Sequence, residues 1–300
     1  MAEDKPDPLA FIRSVDWPEP ADIEPVTGGW DTHMWSFTAP DGNKRALRVY
    51  RTHSIFFGES ADAEARREEA AMRATGDTLP VPAIDFSATY AEIPFLILEW
   101  MPGRPLVEVL QRRPWLTVRL GRAFGRLQAQ LHALDVSPLD EVADELADRE
   151  DELLQEVRRE TVHDAFCHYD FHPMNVLAKG GDITALLDFS SAGRGDRRAD
   201  LGLAQAILVA APAAPGPLRA LVRLFRKRFT RAWREGYEVE SGSWPLTPLF
   251  EAFGAAVYLH RWHVAIDAGT GWATQADMDA MRAYMLDRIA ATGLASVGPS

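Results

Sequence analysis

The chain of 300 residues has a single cysteine, Cys167, so no internal disulfide can form, which fits a reducing, cytoplasmic compartment. It also lacks an apolar run long enough to span a bilayer. The longest, Leu201 to Pro215, is Ala- and Pro-rich and is broken by Pro212 and Pro215. The opening MAEDKPDPLA has no apolar core behind a basic flank and does not read as a signal peptide. A basic balance is missing too. The 32 Lys and Arg residues stand against 44 Asp and Glu, and the net charge of −12 argues against nucleic acid or an anionic membrane as partner. There is no internal repeat, no low-complexity tract, no G-x-G-x-x-G and no P-loop lysine. What remains is an ordinary globular composition, 47% apolar and 25% charged, sufficient for one large domain or two modest ones.

The informative stretch is Phe166 to Asn175, FCHYDFHPMN, with the ALLDFSS that follows. It contains His168-x-Asp170, then Asn175, then Asp188 in Asp188-Phe189-Ser190. Two carboxylates and an amide at this spacing suit phosphoryl transfer, in which one Asp receives a hydroxyl proton and the Asn and second Asp hold Mg²⁺ on the phosphates. Two apolar runs, Val176-Leu177 and Ile183 to Leu187, predict strands that carry Asn175 and Asp188 to the same place.

These residues resemble the aminoglycoside phosphotransferase family, small-molecule kinases of the protein-kinase-like fold. His168, Asp170, His172-Pro173, Asn175 and Asp188 match its motif, and Gly195-Asp196 and Asp200-Leu201 match the segment behind it. The resemblance spans roughly Val26 to Ala210. It implies a two-lobed α/β (α+β) fold: a small β-rich N-lobe over residues 1–101 with 1–22 as lead-in, and a larger helical C-lobe over 102–300. It implies transfer of the γ-phosphate of ATP or GTP to a small-molecule hydroxyl, with Asp170 as the catalytic carboxylate and Asn175 and Asp188 as Mg²⁺ ligands. A non-catalytic nucleotide binder, or a kinase of a fructosamine, choline or homoserine type of acceptor, is the alternative.

In the N-terminal part, Met34 to Thr38 and Ala46 to Tyr50 predict strands around the turn Pro40-Asp41-Gly42-Asn43. The preceding Gly28-Gly29 is either a tight turn or a phosphate-approaching loop. In the second case Thr32 becomes a phosphate contact. Strand alternation puts Ala46 and Arg48 on one face. In the kinase pattern these are the adenine-facing small residue and the phosphate-binding cation. The cation is here an arginine, which grips phosphate bidentately, rather than lysine. Asp62 to Thr75 predicts a helix ended by Gly76. The family pattern selects Glu68 from it as the partner of Arg48, with Glu69 as the alternative. Phe95 to Trp100 predicts a buried strand, and the resemblance makes Glu99, Trp100 and Met101 the hinge that meets the adenine edge.

Beyond the hinge the pattern is mostly helical. Val118 to Leu134 predicts a helix with a packed or capping His132, and Asp140 to Glu160 an amphipathic acidic helix, either a solvated face or a lip that attracts a cation. Ser190 to Asp196 reads as a loop, too short for a regulatory activation segment. Leu218 to Tyr237 predicts a basic helix with Leu221, Leu224, Phe225, Phe229 and Trp233 on its apolar side. Phe250 to Ile266 and Thr274 to Thr292 predict two more helices. Glu251, Tyr258 and Trp262 share one face of the first, either packing or lining a substrate pocket with Asp196. The chain's acidity points to a neutral or cationic acceptor.

Overall fold

The computed structural model of the chain describes residues 6–15, 17–26, 32–51, 60–142, 144–210, 219–267, 269 and 274–294. Helix α1 (Pro8–Arg13) is followed by β1 (Ala21–Val26), β2 (Thr32–Thr38), β3 (Lys44–Tyr50), α2 (Ala61–Thr75), β4 (Ile84–Tyr90) and β5 (Ile93–Glu99). The strands form one antiparallel sheet in the order β1-β2-β3-β5-β4. Pro25 is tolerated in β1 because that strand is at the sheet edge. The predicted turn closes β2 onto β3: Ala39 donates to the Asn43 carbonyl at 2.9 Å, and Gly42 takes the left-handed φ of +82°.

The two faces of β3 divide as alternation requires. Leu47 and Val49 pack with Phe37, Phe95 and Ile97, whereas Ala46 and Tyr50 join the core under α2. Helix α1 covers the first face and buries Phe11 and Ile12. The lead-in is therefore anchored by its helix. Helix α2 is capped by Ser60, begins with Asp62 and Glu64, and stops at Gly76 with φ of +51°.

The rest of the chain comprises β6 (Arg104–Pro105), α3 (Leu106–Arg112), α4 (Thr117–His132), α5 (Glu152–Glu160), β7 (Ala165–Cys167), β8 (Val176–Lys179), β9 (Asp182–Leu186), β10 (Gly193–Gly195), α6 (Arg197–Ala210), α7 (Arg219–Ser241), α8 (Pro248–Asp267) and α9 (Gln275–Thr292). One core runs from Ala46 and Leu98 of the sheet through Phe124 of α4 to Trp233 and Tyr237 of α7. Helices α6 and α8 cross in close contact at Gly202 and Gly254. A Cβ on Gly202 would overlap the Phe250 carbonyl, and one on Gly254 the Gly202 backbone. Helix α8 also meets the segment that precedes β8, where Arg261 donates to the Tyr169 carbonyl at 3.0 Å. Among the described residues no helix is long and apolar enough to cross a membrane.

Three expectations need correction. Only the last part of Asp140 to Glu160 is helical, because the Asp side chains satisfy local amides instead. Asp144 accepts from Leu146 N at 3.0 Å, and Asp151 caps α5 by accepting from Leu154 N at 3.0 Å. Arg158 then takes the carbonyls of Leu146 and Arg149, which a continuous helix would have used itself. Nor is Ser190 to Asp196 all loop: Gly193–Gly195 pairs antiparallel with Ala165–Cys167. In α7, Phe229 and Trp233 are buried as expected, but Leu224 is exposed, and the Leu221 side chain lies outside the described residues.

Candidate active site

The loop between β7 and β8 is shaped by its own polar residues. His168 is fully buried; Nε2 donates to the Leu187 carbonyl at 3.0 Å and Nδ1 accepts from Asp170 N at 3.3 Å. Burial holds this imidazole below its ordinary pKa, in keeping with a neutral ring that has one donor and one acceptor. Asn175 O accepts from Leu187 N at 2.8 Å, which ties the loop to the residue before Asp188. The β8–β9 hairpin, with Val176 opposite Leu186, completes the delivery. Asp188 itself adopts φ of +64°, a left-handed conformation that costs a non-glycine residue about 1–3 kcal/mol.

Asp170 is a quarter exposed. Its Oδ2 accepts from Asn175 Nδ2 at 2.8 Å and lies 3.3 Å from His172 Nε2; its Oδ1 accepts from the Tyr258 hydroxyl at 3.4 Å. Burial opposes ionisation here, but His172 and Arg261 outweigh it and hold the carboxyl well below the usual range.

Arg48 links this loop to the sheet. Its guanidinium donates to Asp188 Oδ1 at 2.9 Å, and Nε lies 3.1 Å from Glu68 Oε2. Glu68 also accepts from the Tyr50 hydroxyl at 2.5 Å and from the Phe189 amide. Arg67, the neighbour of Glu68 on α2, donates to the Ser190 carbonyl at 2.8 Å. Glu69 faces away and pairs with Arg73 and Ser87. Burial works against ionisation of Asp188, yet Arg48 keeps it below its ordinary pKa. Ser190, at the position where protein kinases have glycine, donates to Asp188 Oδ1 at 2.9 Å.

Behind the loop, fully buried Asp200 of α6 accepts from Tyr169 N at 2.5 Å, Gln128 Nε2 at 2.7 Å and His132 Nε2 at 2.8 Å. His132 is thus a packed histidine, bonded on its other side to Tyr237 at 2.8 Å. Tyr169 has φ of +57°, and its phenol occupies the space that a Cβ on Gly195 would need.

Two contributors were missed by sequence reading: Arg261 of α8 and Glu145. Arg261 is buried, pairs with Glu145 at 2.6 Å and 2.9 Å, and lies 3.5 Å from Asp170 Oδ1. The available signal was the position of Arg261 three residues after Tyr258 and beside Trp262, on the buried face of α8. A cavity of about 250 Å³ adjoins Glu145 and Tyr169, with Val142, Leu154, Phe253 and Val257 among its walls; Asp170 is not one of them.

The other predicted residues are distributed as follows. Ala46 is opposite Leu98 in the ladder, one residue before Glu99, and is buried. Glu99 N donates to the Ala83 carbonyl at 2.9 Å, Trp100 is partly exposed beneath Lys44 Nζ at 5.0 Å, and Met101 follows. Thr32 is buried opposite Tyr50, while Gly28 and Gly29 lie outside the described residues. Asp196 is fully buried and accepts from Val162 N and Arg198, so it is no pocket wall. Glu251 turns toward Tyr284 and Arg288. Cys167 is fully buried, and burial pushes its thiol pKa well up. A thiol reagent is therefore expected to label native protein far more slowly than unfolded protein; equal rates would contradict that burial.

A family model described as the phosphotransferase enzyme family matches residues 22–159 and 136–239, further toward the C-terminus than the motifs reach. Among solved structures, the chain is similar to the macrolide 2′-phosphotransferase MphH from Brachybacterium faecium, an apoenzyme, at 21% identity, covering 92% of this chain and 97% of that one with a TM-score of 0.55. It is similar to a thermostable mutant of aminoglycoside phosphotransferase APH(4)-Ia in complex with ADP and hygromycin B, at 16% identity, 92% and 97% coverage and a TM-score of 0.62. A third is the streptomycin–ATP–APH(2″)-IIa ternary complex, at 14% identity, 88% and 90% coverage and a TM-score of 0.54. At these identities the likeness shows a shared two-part kinase-like fold. No curated protein matches the chain.

Proposed function

The chain belongs to the phosphotransferase enzyme family, and from its site we propose that it transfers the γ-phosphoryl group of ATP or GTP to a hydroxyl of a small molecule. The observation that carries this reading is the convergence of Asp170, Asn175 and Asp188, with Arg48 and Glu68 joined to the same cluster. Residues 1–101 form the nucleotide lobe and 102–300 the catalytic and acceptor lobe. Ala46 packs on the adenine, the backbone of Glu99 to Met101 meets its edge, and Thr32 contacts a phosphate. Arg48, oriented by Glu68, holds the phosphates. The acceptor oxygen bonds to phosphorus, the bond to the leaving nucleoside diphosphate breaks, and the acceptor proton passes to Asp170. A carboxylate this acidic is a weak base. Its work is to orient the hydroxyl and receive the proton late, which is what a loose transition state requires.

The residues present fit Mg²⁺. Asn175 commits its amide nitrogen to Asp170, which leaves Oδ1 for a metal, and Asp188 adds carboxylate oxygen. Mg²⁺ takes hard oxygen ligands, one or two from protein and the rest from phosphates and water. Asn175 and Asp188 would hold the ion together with the nucleotide phosphates. When bound, the ion would neutralise charge developing on the phosphates. Asp188→Ala is expected to weaken binding of Mg²⁺-nucleotide much more than of metal-free nucleotide in calorimetry; equal losses would remove Asp188 from the metal site.

Arg48→Lys is expected to keep much of the nucleotide affinity and Arg48→Ala to lose about tenfold or more, since a hydrogen bond to a charged group is worth roughly 1.5–3 kcal/mol. An alanine variant with wild-type affinity would show that another cation holds the phosphates.

The acceptor is a hydroxylated small molecule, such as an antibiotic, a sugar or an amino alcohol, and binds the C-terminal lobe next to Asp170. Its charge is less constrained than composition suggests. Asp144, Glu145 and Asp151 each have an arginine partner, which reduces the field of that segment on a cation. The cytoplasm supplies the nucleotide. A screen of hydroxylated compounds with Mg²⁺-ATP should find one class that releases ADP and gains one phosphoryl group. The rival reading, a nucleotide binder without turnover, draws on the Arg48–Asp188 bond, which occupies an oxygen of the metal carboxylate. Thermal stabilisation by Mg²⁺-ATP with neither acceptor-dependent nor acceptor-free ADP release would decide for it.

A further inference from the structure

Arg261 is charged, yet it sits among Tyr258, Trp262 and Ala265 on the buried side of α8. A buried guanidinium is tolerated only where acceptors match its fork of donors. Here Nε and Nη2 donate to the two oxygens of Glu145 at 2.9 Å and 2.6 Å. Nη1 donates to the Tyr169 carbonyl at 3.0 Å and lies 3.5 Å from Asp170 Oδ1. The fork thus spans the peptide that joins Tyr169 to Asp170 and one oxygen of the carboxylate itself.

That peptide is where positioning matters. Tyr169 is held left-handed at φ of +57°, a conformation that its surroundings must impose. Asp200 holds its amide, Gly195 makes room for its ring, and Arg261 holds its carbonyl. The carbonyl is the contact nearest Asp170, because its plane sets the direction in which the next side chain leaves the backbone. A lysine could supply the charge but not a planar fork that reaches Glu145 and the carbonyl together.

We propose that Arg261, braced by Glu145, is a positioning residue for phosphoryl transfer: from α8 it fixes the Tyr169–Asp170 peptide and the Asp170 carboxylate in the orientation that meets the acceptor hydroxyl. This role rests on the reading of Asp170 as the group that receives the acceptor proton. It assigns α8 a part in the chemical step.

The test compares Arg261→Gln, Arg261→Lys, Glu145→Gln and Asp170→Asn, together with the Arg261→Gln/Asp170→Asn double variant, on the best acceptor. Concentrations are corrected for the folded, nucleotide-binding fraction. Arg261→Gln is expected to lower kcat on the order of 10²-fold, the scale of a misplaced reacting group. KM for ATP and stabilisation by Mg²⁺-ATP should stay close to wild type. Arg261→Lys should recover part of the loss, and Glu145→Gln should show a smaller loss of the same kind. In the double variant Arg261→Gln should add almost nothing to the loss from Asp170→Asn, since both act through one carboxylate. A full additive loss, or a fall in kcat that disappears after correction for folded enzyme, would overturn the role. If Arg261→Gln does not fold, the lysine and Glu145→Gln variants carry the same comparison. Near-wild-type turnover by Asp170→Asn alone would instead remove the reading on which the role depends.

Discussion

Asp170→Asn is expected to lower turnover by at least ~10²-fold, the scale of a lost general base, while nucleotide affinity barely changes. The carboxylate faces donors on nearly every side: Asn175 Nδ2 at 2.8 Å, His172 Nε2 at 3.3 Å, the Tyr258 hydroxyl at 3.4 Å and Arg261 Nη1 at 3.5 Å. An ionised Asp accepts from the first three, pairs by charge with Arg261 and still presents an oxygen lone pair to the acceptor. An amide has one accepting oxygen and must turn its NH₂ toward a donor or toward the incoming hydroxyl. Either choice misdirects the hydroxyl, and neither can take its proton. The nucleotide contacts proposed for Arg48 and the hinge do not include Asp170, so binding of ATP should survive. The measurement is kcat on a confirmed acceptor beside calorimetric nucleotide affinity. Turnover near wild type would remove Asp170 from its role; a parallel collapse of nucleotide affinity would mean that the loop itself had come apart.

The catalytic loop was legible because its geometry is local. His168, Asp170 and Asn175 bond to one another or to residues one strand away, and such contacts leave a contiguous motif. Strand alternation was equally informative, since it divided β3 into the face with Ala46 and Tyr50 and the face with Leu47 and Val49. Strand β4 was missed for a chemical reason. The turn to β5 places Ala91 at φ of +48° and Glu92 at +66°, positions where Asn or Gly would have announced a hairpin. Here the pairing of β4 with β5 imposes the turn, and neither residue signals it.

Composition misled in the acidic segment. Asp and Glu around apolar residues look amphipathic, but Asp competes for backbone amides and often ends helices instead of filling them. Asp144 and Asp151 do this, and Arg158 completes the alternative by capping carbonyls. Arg261 was missed because its partners, Tyr169 and Glu145, are about a hundred residues away, and a lone arginine in a helix resembles any solvated charge. Only burial distinguishes it, and burial is a property of the packed chain.

The largest effect on stability is expected at Asp200. Asp200→Ala should destabilise the protein by about 3–5 kcal/mol, the usual result of removing one member of a buried charged network. Three donors would lose their acceptor at once: Tyr169 N, Gln128 Nε2 and His132 Nε2, at 2.5 Å, 2.7 Å and 2.8 Å. Two of them reach further. Gln128 accepts from Trp233 Nε1 at 2.9 Å and His132 meets Tyr237 at 2.8 Å, so the network joins α4, α6 and α7 to the catalytic loop. Burial opposes ionisation of Asp200, but His132 and Gln128 hold its pKa below the ordinary value. The sign follows from that depression. Its contribution is complete above the unfolded carboxylate pKa of about 3.9 and is lost only as the pH falls below it, through the lower native value. At neutral pH the whole effect should therefore appear as a lower denaturant midpoint with an unchanged slope. Turnover should fall as well, because the left-handed Tyr169 would keep its carbonyl contact to Arg261 but lose the bond on its amide. A stability loss below about 1 kcal/mol, the worth of a single ordinary hydrogen bond, would mean that the loop holds its shape without Asp200.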